Sequence, residues 1–384
     1  MRQNIALYFN EYILFNKSGG EEMAKQCKDF TFNGKKLSSF GNFVTVDFDG
    51  GDSEVMLGMS REMEMGSTNT YRVEANYYGD KWSDVLQFEI HIIKSPCLYS
   101  DQTEMRFSKE EIRQITRWLT SPHYPQWIKF EYKVDDNNPV VNYKGWFSNI
   151  ETWVVGGHVY GLRLFVSCTT PFGYTDDIVH SHLDITTYKN VIVSNDSDEL
   201  ESYCYPQITI EPKSNTGVYI CNLSDCEILK SGTLSVTNGA FNSLLDTIES
   251  YAKSEGYELI YAGVSDDNTV VALCDDTAVQ FYLKDKYNNE TKCSAFYLND
   301  SKNYWIVTGG FMFLEAQRDL NIYIDCQRLL ITDRIGRMVT YDELGIADVD
   351  NMYWLRLING SNTLLLYGQA NFTITHRESR KVGE

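Results

Sequence analysis

Asp29-Phe-Thr-Phe-Asn-Gly34, continued by Lys35-Lys-Leu-Ser38, reads as a strand, a tight turn and a second strand. Phe30 and Phe32 lie two residues apart, so an extended chain puts both rings on one side. Asn-Gly is the dipeptide that best tolerates the left-handed backbone of a two-residue hairpin turn. Further strands are predicted at Asn42-Phe-Val-Thr-Val-Asp-Phe48, Tyr71-Arg-Val-Glu-Ala-Asn-Tyr77 and Asp84-Val-Leu-Gln-Phe-Glu-Ile-His-Ile-Ile93. A helix interrupts them. Ser108 is placed as its N-cap, Glu111 completes a capping box, Phe107 and Ile112 form a hydrophobic staple, and Pro122 ends it. Its apolar stripe is Ile112, Ile115 and Leu119, with Trp118 alongside, so it should pack on a sheet.

The pattern continues through strands at 127–133, 145–155 and 160–168 to an acidic polar stretch, Asn195-Asp-Ser-Asp-Glu-Leu-Glu201, which reads as a domain boundary. Strands at 207–211 and 217–222 follow. From about Glu227 to Gly310 the texture changes: a second helix is predicted from Phe241 to Glu255, stopped by Gly256, among short strands at 269–274, 279–283 and 304–308. Strands at 321–325, 329–332, 352–358, 363–367 and 371–376 close the chain, with a turn at Asn359-Gly360. The chain has 26 Tyr, 19 Phe and 7 Trp but only 7 Pro, which favours β-rich structure. Its 384 residues suffice for two or three domains with their own cores.

Charge narrows the function. With 34 Lys plus Arg against 53 Asp plus Glu, the formal net charge is −19, the wrong sign for a protein that grips nucleic acid. No run reaches the 18 or so uncharged apolar residues of a membrane-spanning helix. The apolar run Ile5 to Phe15 is broken by Glu11 and lacks the flanks of a signal peptide. The nine cysteines form no C-x-x-C pair and read as reduced thiols, many of them buried, of a protein made in a cytoplasm. Ser18-Gly-Gly-Glu-Glu-Met23 is encodable by a purine-rich stretch ending in ATG, which makes Met23 the expected natural start and residues 1–22 an extension.

Chemistry-bearing patterns are few. His180-Ser-His182-Leu-Asp184 would put two imidazoles and a carboxylate on one strand face and begins like the H-x-H-x-D-H motif of metallo-β-lactamase-type hydrolases, but Ile185 stands where the last His belongs. The competing reading is a half-exposed strand with polar residues, and no metal site is assigned. Asp47-Phe-Asp-Gly-Gly-Asp-Ser-Glu54 has the acidity of a calcium loop without its Gly at six or Glu at twelve, and reads as an acidic turn. G-x-S-x-G, H-E-x-x-H and the P-loop are absent, so neither catalytic nor cofactor-binding residues are assigned and no enzyme is expected. Tyr297, Tyr304 and Trp305, with Phe311 and Phe313 nearby, are the candidate saccharide-stacking rings; strand aromatics also build cores.

The ends of the chain carry a family resemblance. Phe30-Thr-Phe-Asn-Gly-Lys-Lys-Leu-Ser-Ser-Phe-Gly41, the capped helix with Trp118-Leu119, the strand at Trp127, Cys168-Thr-Thr-Pro-Phe-Gly173, Tyr205-Pro-Gln-Ile-Thr-Ile210, Gly360-Ser-Asn-Thr-Leu364 and Phe372 through Val382 together resemble the distal tail protein (Dit) family of long-tailed, non-contractile bacteriophages. The resemblance covers most of 23–226 and 317–384. It implies a mainly β chain: an N-terminal β-sandwich or barrel-like ring-forming domain with one packed helix (23–194), and a C-terminal galectin-like β-sandwich (202–226 and 311–384). An α+β insertion (227–310) interrupts the latter.

The implied function is structural. The resemblance points to a hexameric ring at the virion tail tip, joining the tail tube, tape-measure protein, tail-associated lysin and receptor-binding or baseplate proteins. Synthesis would be in the bacterial host cytoplasm. DNA would pass through the lumen without specific binding, past a net-negative wall. The resemblance brings no catalytic residue. A second function, host cell-wall saccharide binding through the insertion, can coexist with the first.

Overall fold

The computed structural model describes residues 27–46, 61–66, 77–82, 85–99, 101–132 and 141–381, apart from 216, 237–238, 263, 266–268, 271–272, 274–275, 316, 319 and 347–351. The expected start at Met23, the acidic turn 47–54, residues 71–76 of the expected strand 71–77 and half of 269–274 lie outside the described residues. Among the described residues the protein is mainly β, with two α-helices. It divides into two compact units, Met1–Gly173 with Val382–Glu384 and Tyr174–Lys381.

In the first unit the strands are β1 (Cys27–Phe32), β2 (Lys35–Lys36), β3 (Phe43–Val46), β4 (Arg61–Met65), β5 (Tyr77–Trp82), β6 (Gln87–Lys94), β7 (Gln126–Tyr132), β8 (Asn142–Val155) and β9 (His158–Cys168). They form one antiparallel sheet in the order β2-β1-β7-β8-β9-β6-β3, with β4 and β5 as a separate hairpin. The opening hairpin forms as the sequence predicts. Phe32 pairs with Lys35, and Asn33 (φ 47°) and Gly34 (φ 71°) take the two left-handed positions. Phe30 and Phe32 are fully buried. Asp29 Oδ1 ties the turn down by accepting from Phe30 N (2.8 Å) and Ser38 N (3.3 Å).

Helix α1 (Lys109–Thr120) carries the capping box in both directions: Ser108 Oγ accepts from Glu111 N (3.1 Å), and Glu111 Oε2 accepts from Ser108 N (2.7 Å). Glu111 also meets the buried Lys94 at 2.8 Å. Ile115, Trp118 and Leu119 are the buried face. Trp118 stacks on Phe30 (centroids 5.6 Å) and Phe40 (4.7 Å) and donates its Nε1–H to Phe32 O (2.9 Å), so one side chain locks helix, turn and strand together.

The second unit begins within β10 (Gly173–Tyr174) and contains β11 (Ile178–Ile185), β12 (Tyr188–Asn195), β13 (Gln207–Pro212), β14 (Val218–Asn222), β15 (Glu227–Thr233), α2 (Ala240–Glu255), β16 (Glu258–Tyr261), β17 (Ala278–Lys284), β18 (Glu290–Tyr297), β19 (Asn303–Thr308), β20 (Phe311–Leu314), β21 (Ile322–Asp325), β22 (Leu330–Thr332), β23 (Gly360–Tyr367), β24 (Ala370–His376) and β25 (Ser379–Arg380). Two sheets, β11-β24-β13-β21-β22 and β12-β23-β14-β20, enclose a core of Ile208, Ile210, Ile220, Leu364, Leu366, Phe372 and their neighbours. This is a β-sandwich.

Between β14 and β20 the chain forms a third sheet, β15-β19-β18-β17-β16. One face packs on α2 through Leu244, Ile248, Phe281, Leu283 and Ile306. The other face, through Ala278, Phe296, Leu298 and Val307, packs on the outer face of the sandwich, on Tyr219, Cys221, Phe311, Leu365 and Tyr367. Helix α2 ends at Gly256 in the left-handed conformation (φ 76°), as the sequence predicts.

Three expectations are corrected. Strands β11 and β12, expected within an N-terminal domain ending at 194, pair with β24 and β23 inside the sandwich. The polar stretch 195–201 is not a linker: Asn195, Ser197 and Glu199 are buried in alternation, and the run is held by Asn195 to Leu357 O (3.2 Å), Asp196 N to Glu378 Oε1 (2.9 Å) and Asp198 N to Ser379 O (3.0 Å). Polar residues here replace a missing ladder instead of marking a gap. Segment 352–358 is not a strand beyond the bridge Leu357–Cys204; Tyr353 (2.7 Å) and Arg356 (2.7 Å) instead converge on the buried Asp225 carboxylate.

Candidate functional site

The proposed stacking rings fall on opposite faces of one sheet. Tyr297 pairs directly with Tyr304, and Phe296 with Trp305, in the β18–β19 ladder. Side chains alternate along each strand. Tyr297 (5% exposed) and Tyr304 (6%) therefore belong to the core beneath α2, where burial raises both phenolic pKa values above the ordinary tyrosine value. Trp305 turns the other way, half-buried and stacked on Phe296 (5.4 Å), against the sandwich. Phe311 is buried at the same seam, with Phe313 packed beside it. The platform expected from these three rings does not form. The aromatic excess of this region is core for two seams.

His180, His182 and Asp184 do not share a face either. His180 and His182 point inward from the edge strand β11, while a register shift after His182 and a left-handed Asp184 (φ 56°) take the carboxylate out of the ladder and onto Lys213. His180 instead stacks on His376 of β24 at 5.4 Å with a 5° interplanar angle. His376 is buried, and neither of its ring nitrogens has a hydrogen-bond partner among the described residues. Its pKa lies below that of a free histidine, first through desolvation and then through the positive charge His180 would carry; the nearby Glu378 opposes this. His182 is lowered for the same leading reason, with Lys189 and His180 adding to it. Burial thus favours the neutral form of His376 and His182. Among the described residues no group of three or more His, Cys, Asp or Glu is placed to hold a metal ion.

Cysteines Cys168, Cys221, Cys293 and Cys326 are buried free thiols; burial pushes the Cys168 and Cys293 thiols up to about 12. Such thiols are poor nucleophiles. No helix among the described residues is long and apolar enough to cross a membrane.

What the sequence reading missed is the far end of the β8–β9 hairpin. Strand β8 is mostly buried from Asn142 to Phe147, yet all five residues from Glu151 to Val155 are exposed. Trp153 (45% exposed), Val154 (52%) and Val155 (38%) form an apolar run at the tip, followed by the Gly156-Gly157 turn. The signal was present as a Trp-Val-Val run ahead of Gly-Gly, but periodicity alone does not say how far a hairpin outruns its sheet.

The comparisons with known proteins bear on the first unit. A family model described as phage tail protein N-terminal domain matches residues 25–170. No curated protein matches the chain. Among solved structures, the chain is similar to the Dit protein (gp 19.1) of phage SPP1, described as a paradigm of the hub adsorption apparatus in phages infecting Gram-positive bacteria. The two are 14% identical over 92% of this chain and 99% of that one, with a TM-score of 0.43. It is also similar to a chain of the phage P2 baseplate in its activated conformation with calcium, at 8% identity over 94% and 100% with a TM-score of 0.43. The corresponding strontium structure gives 9% over 92% and 98%, with a TM-score of 0.38. The segments that carry the distal-tail resemblance in this unit, Phe30–Gly41 and the capped helix, lie within residues 25–170, which are similar to the phage tail protein N-terminal domain.

Proposed function

We propose that this protein is a structural hub of a phage tail tip or baseplate, whose N-terminal units close into a hexameric ring that carries the β-sandwiches. The observation that carries the reading is the apolar tip of the β8–β9 hairpin, set on a unit that matches phage tail proteins. Closed rings need a head-to-tail surface on each copy. An exposed Trp-Val-Val run at the end of a rigid hairpin supplies one half of it, of the kind that monomers avoid exposing. The net charge of −19 supports a lumen that repels DNA and lets it slide through. In this reading the ring binds the tail tube, the tape-measure protein, a tail-associated lysin and receptor-binding proteins, and resides in the virion tail. The galectin-like sandwich with its insertion faces those partners.

Native mass spectrometry of the full chain tests it. The wild-type protein should give a closed ring, and Trp153→Glu should give monomers with the thermal midpoint unchanged. A wild-type protein that stays monomeric at every concentration, and also with its tail partners, would sink the hub. A Trp153→Glu ring as stable as the wild type would remove the hairpin from the interface. The alternative, saccharide adhesion by the insertion's rings, lacks exposed ring faces at Tyr297 and Tyr304 to support it.

A further inference from the structure

The outward face of the sandwich sheet β11-β24-β13-β21-β22 carries an ordered row of hydroxyls. Ser181 pairs with Thr373, Thr373 with Thr209, Thr209 with Tyr323, and Tyr323 with Thr332, so one line crosses all five strands. Neighbouring positions on β13, β21, β22 and β24, namely Ile208, Ile210, Ile322, Ile324, Ile331, Phe372 and Ile374, point into the core, which fixes this line on the solvent side. Among the described residues none of the five hydroxyls has a hydrogen-bond partner. Beside the row, Thr375 pairs with Gln207 and Gln207 with Asp325, so polar atoms continue one step along the strands.

Threonine and tyrosine suit exposed strands for their β-propensity alone, and cross-strand pairs of them stabilise a sheet. Propensity does not require that five hydroxyls fall into register across five strands. The row presents groups that both donate and accept, repeated about every 4.8 Å, over roughly 19 Å from first strand to last. An extended glycan chain offers the same kind of group at a comparable repeat along its length, and the Tyr323 ring adds one flat apolar surface for the C–H face of a sugar. The carboxylates on this face are each already engaged: Gln207 donates to Asp325 (3.2 Å), which also pairs with Arg328 (3.8 Å), and Asn371 donates to Glu211 (3.0 Å), so among the described residues no unpaired positive charge offers itself to an anion there. With a chain of net charge −19, a polyanionic polymer is repelled.

We infer that the hydroxyl row Ser181, Thr373, Thr209, Tyr323 and Thr332 is a binding face for a neutral, extended polysaccharide lying across the strands. This does not rest on the hub reading; a monomeric chain would have the same face.

The test is calorimetric titration of the full chain with two neutral β-1,4-linked probes, cellohexaose and N-acetylated chitohexaose, and with poly(glycerol phosphate) as the anionic arm. At least one neutral hexasaccharide should bind and the anionic polymer should not. The double variant Thr209→Val with Thr373→Val keeps the shape and strand propensity while deleting two hydroxyls. It should weaken binding at least about tenfold, two hydrogen bonds' worth, with an unchanged thermal midpoint. Tyr323→Ala removes the ring of the row and should weaken binding independently. Flat titrations with both neutral probes would overturn the inference, as would equal binding by wild type and double variant. Preference for poly(glycerol phosphate) would also overturn it. If the double variant instead changed only the oligomeric state, the face would belong to a second copy of the chain, and the inference would fall.

Discussion

Replacing Phe296 with alanine should loosen the insertion from the sandwich while sparing the insertion's own core. Phe296 is 3% exposed and sits on the sheet face opposite α2, against Tyr219 (5.4 Å) and Trp305 (5.4 Å). Truncating a buried Phe to Ala costs about 3–5 kcal/mol in transfer and cavity terms. The two ring contacts account for roughly 1–2 kcal/mol of that. Because the side chain touches none of the residues under α2, this cost should fall on the seam. Hydrogen exchange resolves the two. In Phe296→Ala, amides of β14, β20 and β19 along the seam should lose protection, with β23 following, while those of α2 keep it. Phe281→Ala is the control: its ring is fully buried on the helix side, and its loss should expose α2 and β17 first. The reasoning is refuted if Phe296→Ala lowers stability by less than about 1 kcal/mol. It is equally refuted if α2 loses as much protection in Phe296→Ala as in Phe281→Ala. The same seam predicts that residues 227–310 made alone will aggregate, since Phe296, Leu298 and Val307 would face water.

Other outcomes follow from the same contacts. The pKa of His376 is lowered on folding, so the stability it contributes is complete above the ordinary histidine value of 6.5 and is lost as the pH falls below it. Urea midpoints should therefore drop between pH 6.5 and more acid values, and His376→Phe should flatten that slope; an unchanged slope would show that the stacked pair with His180 is not the cause. Ser108→Ala removes the cap that Glu111 N donates to and should cost about 1 kcal/mol in the first unit. Thermal unfolding followed by α1 protection checks it, and a neutral result would mean the Glu111 side of the box suffices.

Much of the fold is legible in local sequence wherever a backbone demand selects one residue type. Asn33-Gly34 must adopt positive φ, Ser108 and Glu111 must cap each other, and Gly256 must turn left-handed; each signal is read from a few neighbours and each is met. The faces of strands are legible only up to a sign. Period two says that Tyr297 and Phe296 point oppositely, but not that both sides are covered, one by a helix and one by a second sheet. That is why rings read as a stacking platform are core. Polarity misleads at 195–201 for a related reason: burial there is supported by hydrogen bonds to Glu378, Ser379 and Leu357, partners more than 150 residues away. The His180–His376 stack is likewise a long-range pairing across β11 and β24 that no spacing within 180–184 could announce.

The geometry of the insertion's two ends has a mechanical meaning. The chain leaves the sandwich after Asn222 and returns at Gly310, and these points touch: Asn222 N donates to Gly310 O at 2.7 Å. A pull transmitted through the backbone therefore enters the sandwich at a single spot and loads the β14–β20 ladder from its end, so its bonds would break in succession instead of sharing the force. The broad seam at Tyr219, Phe296 and Leu365 resists in parallel with that weak zipper. Tension borne by the insertion is thus held mainly by side-chain packing, and a sideways push would be carried more firmly than a straight pull.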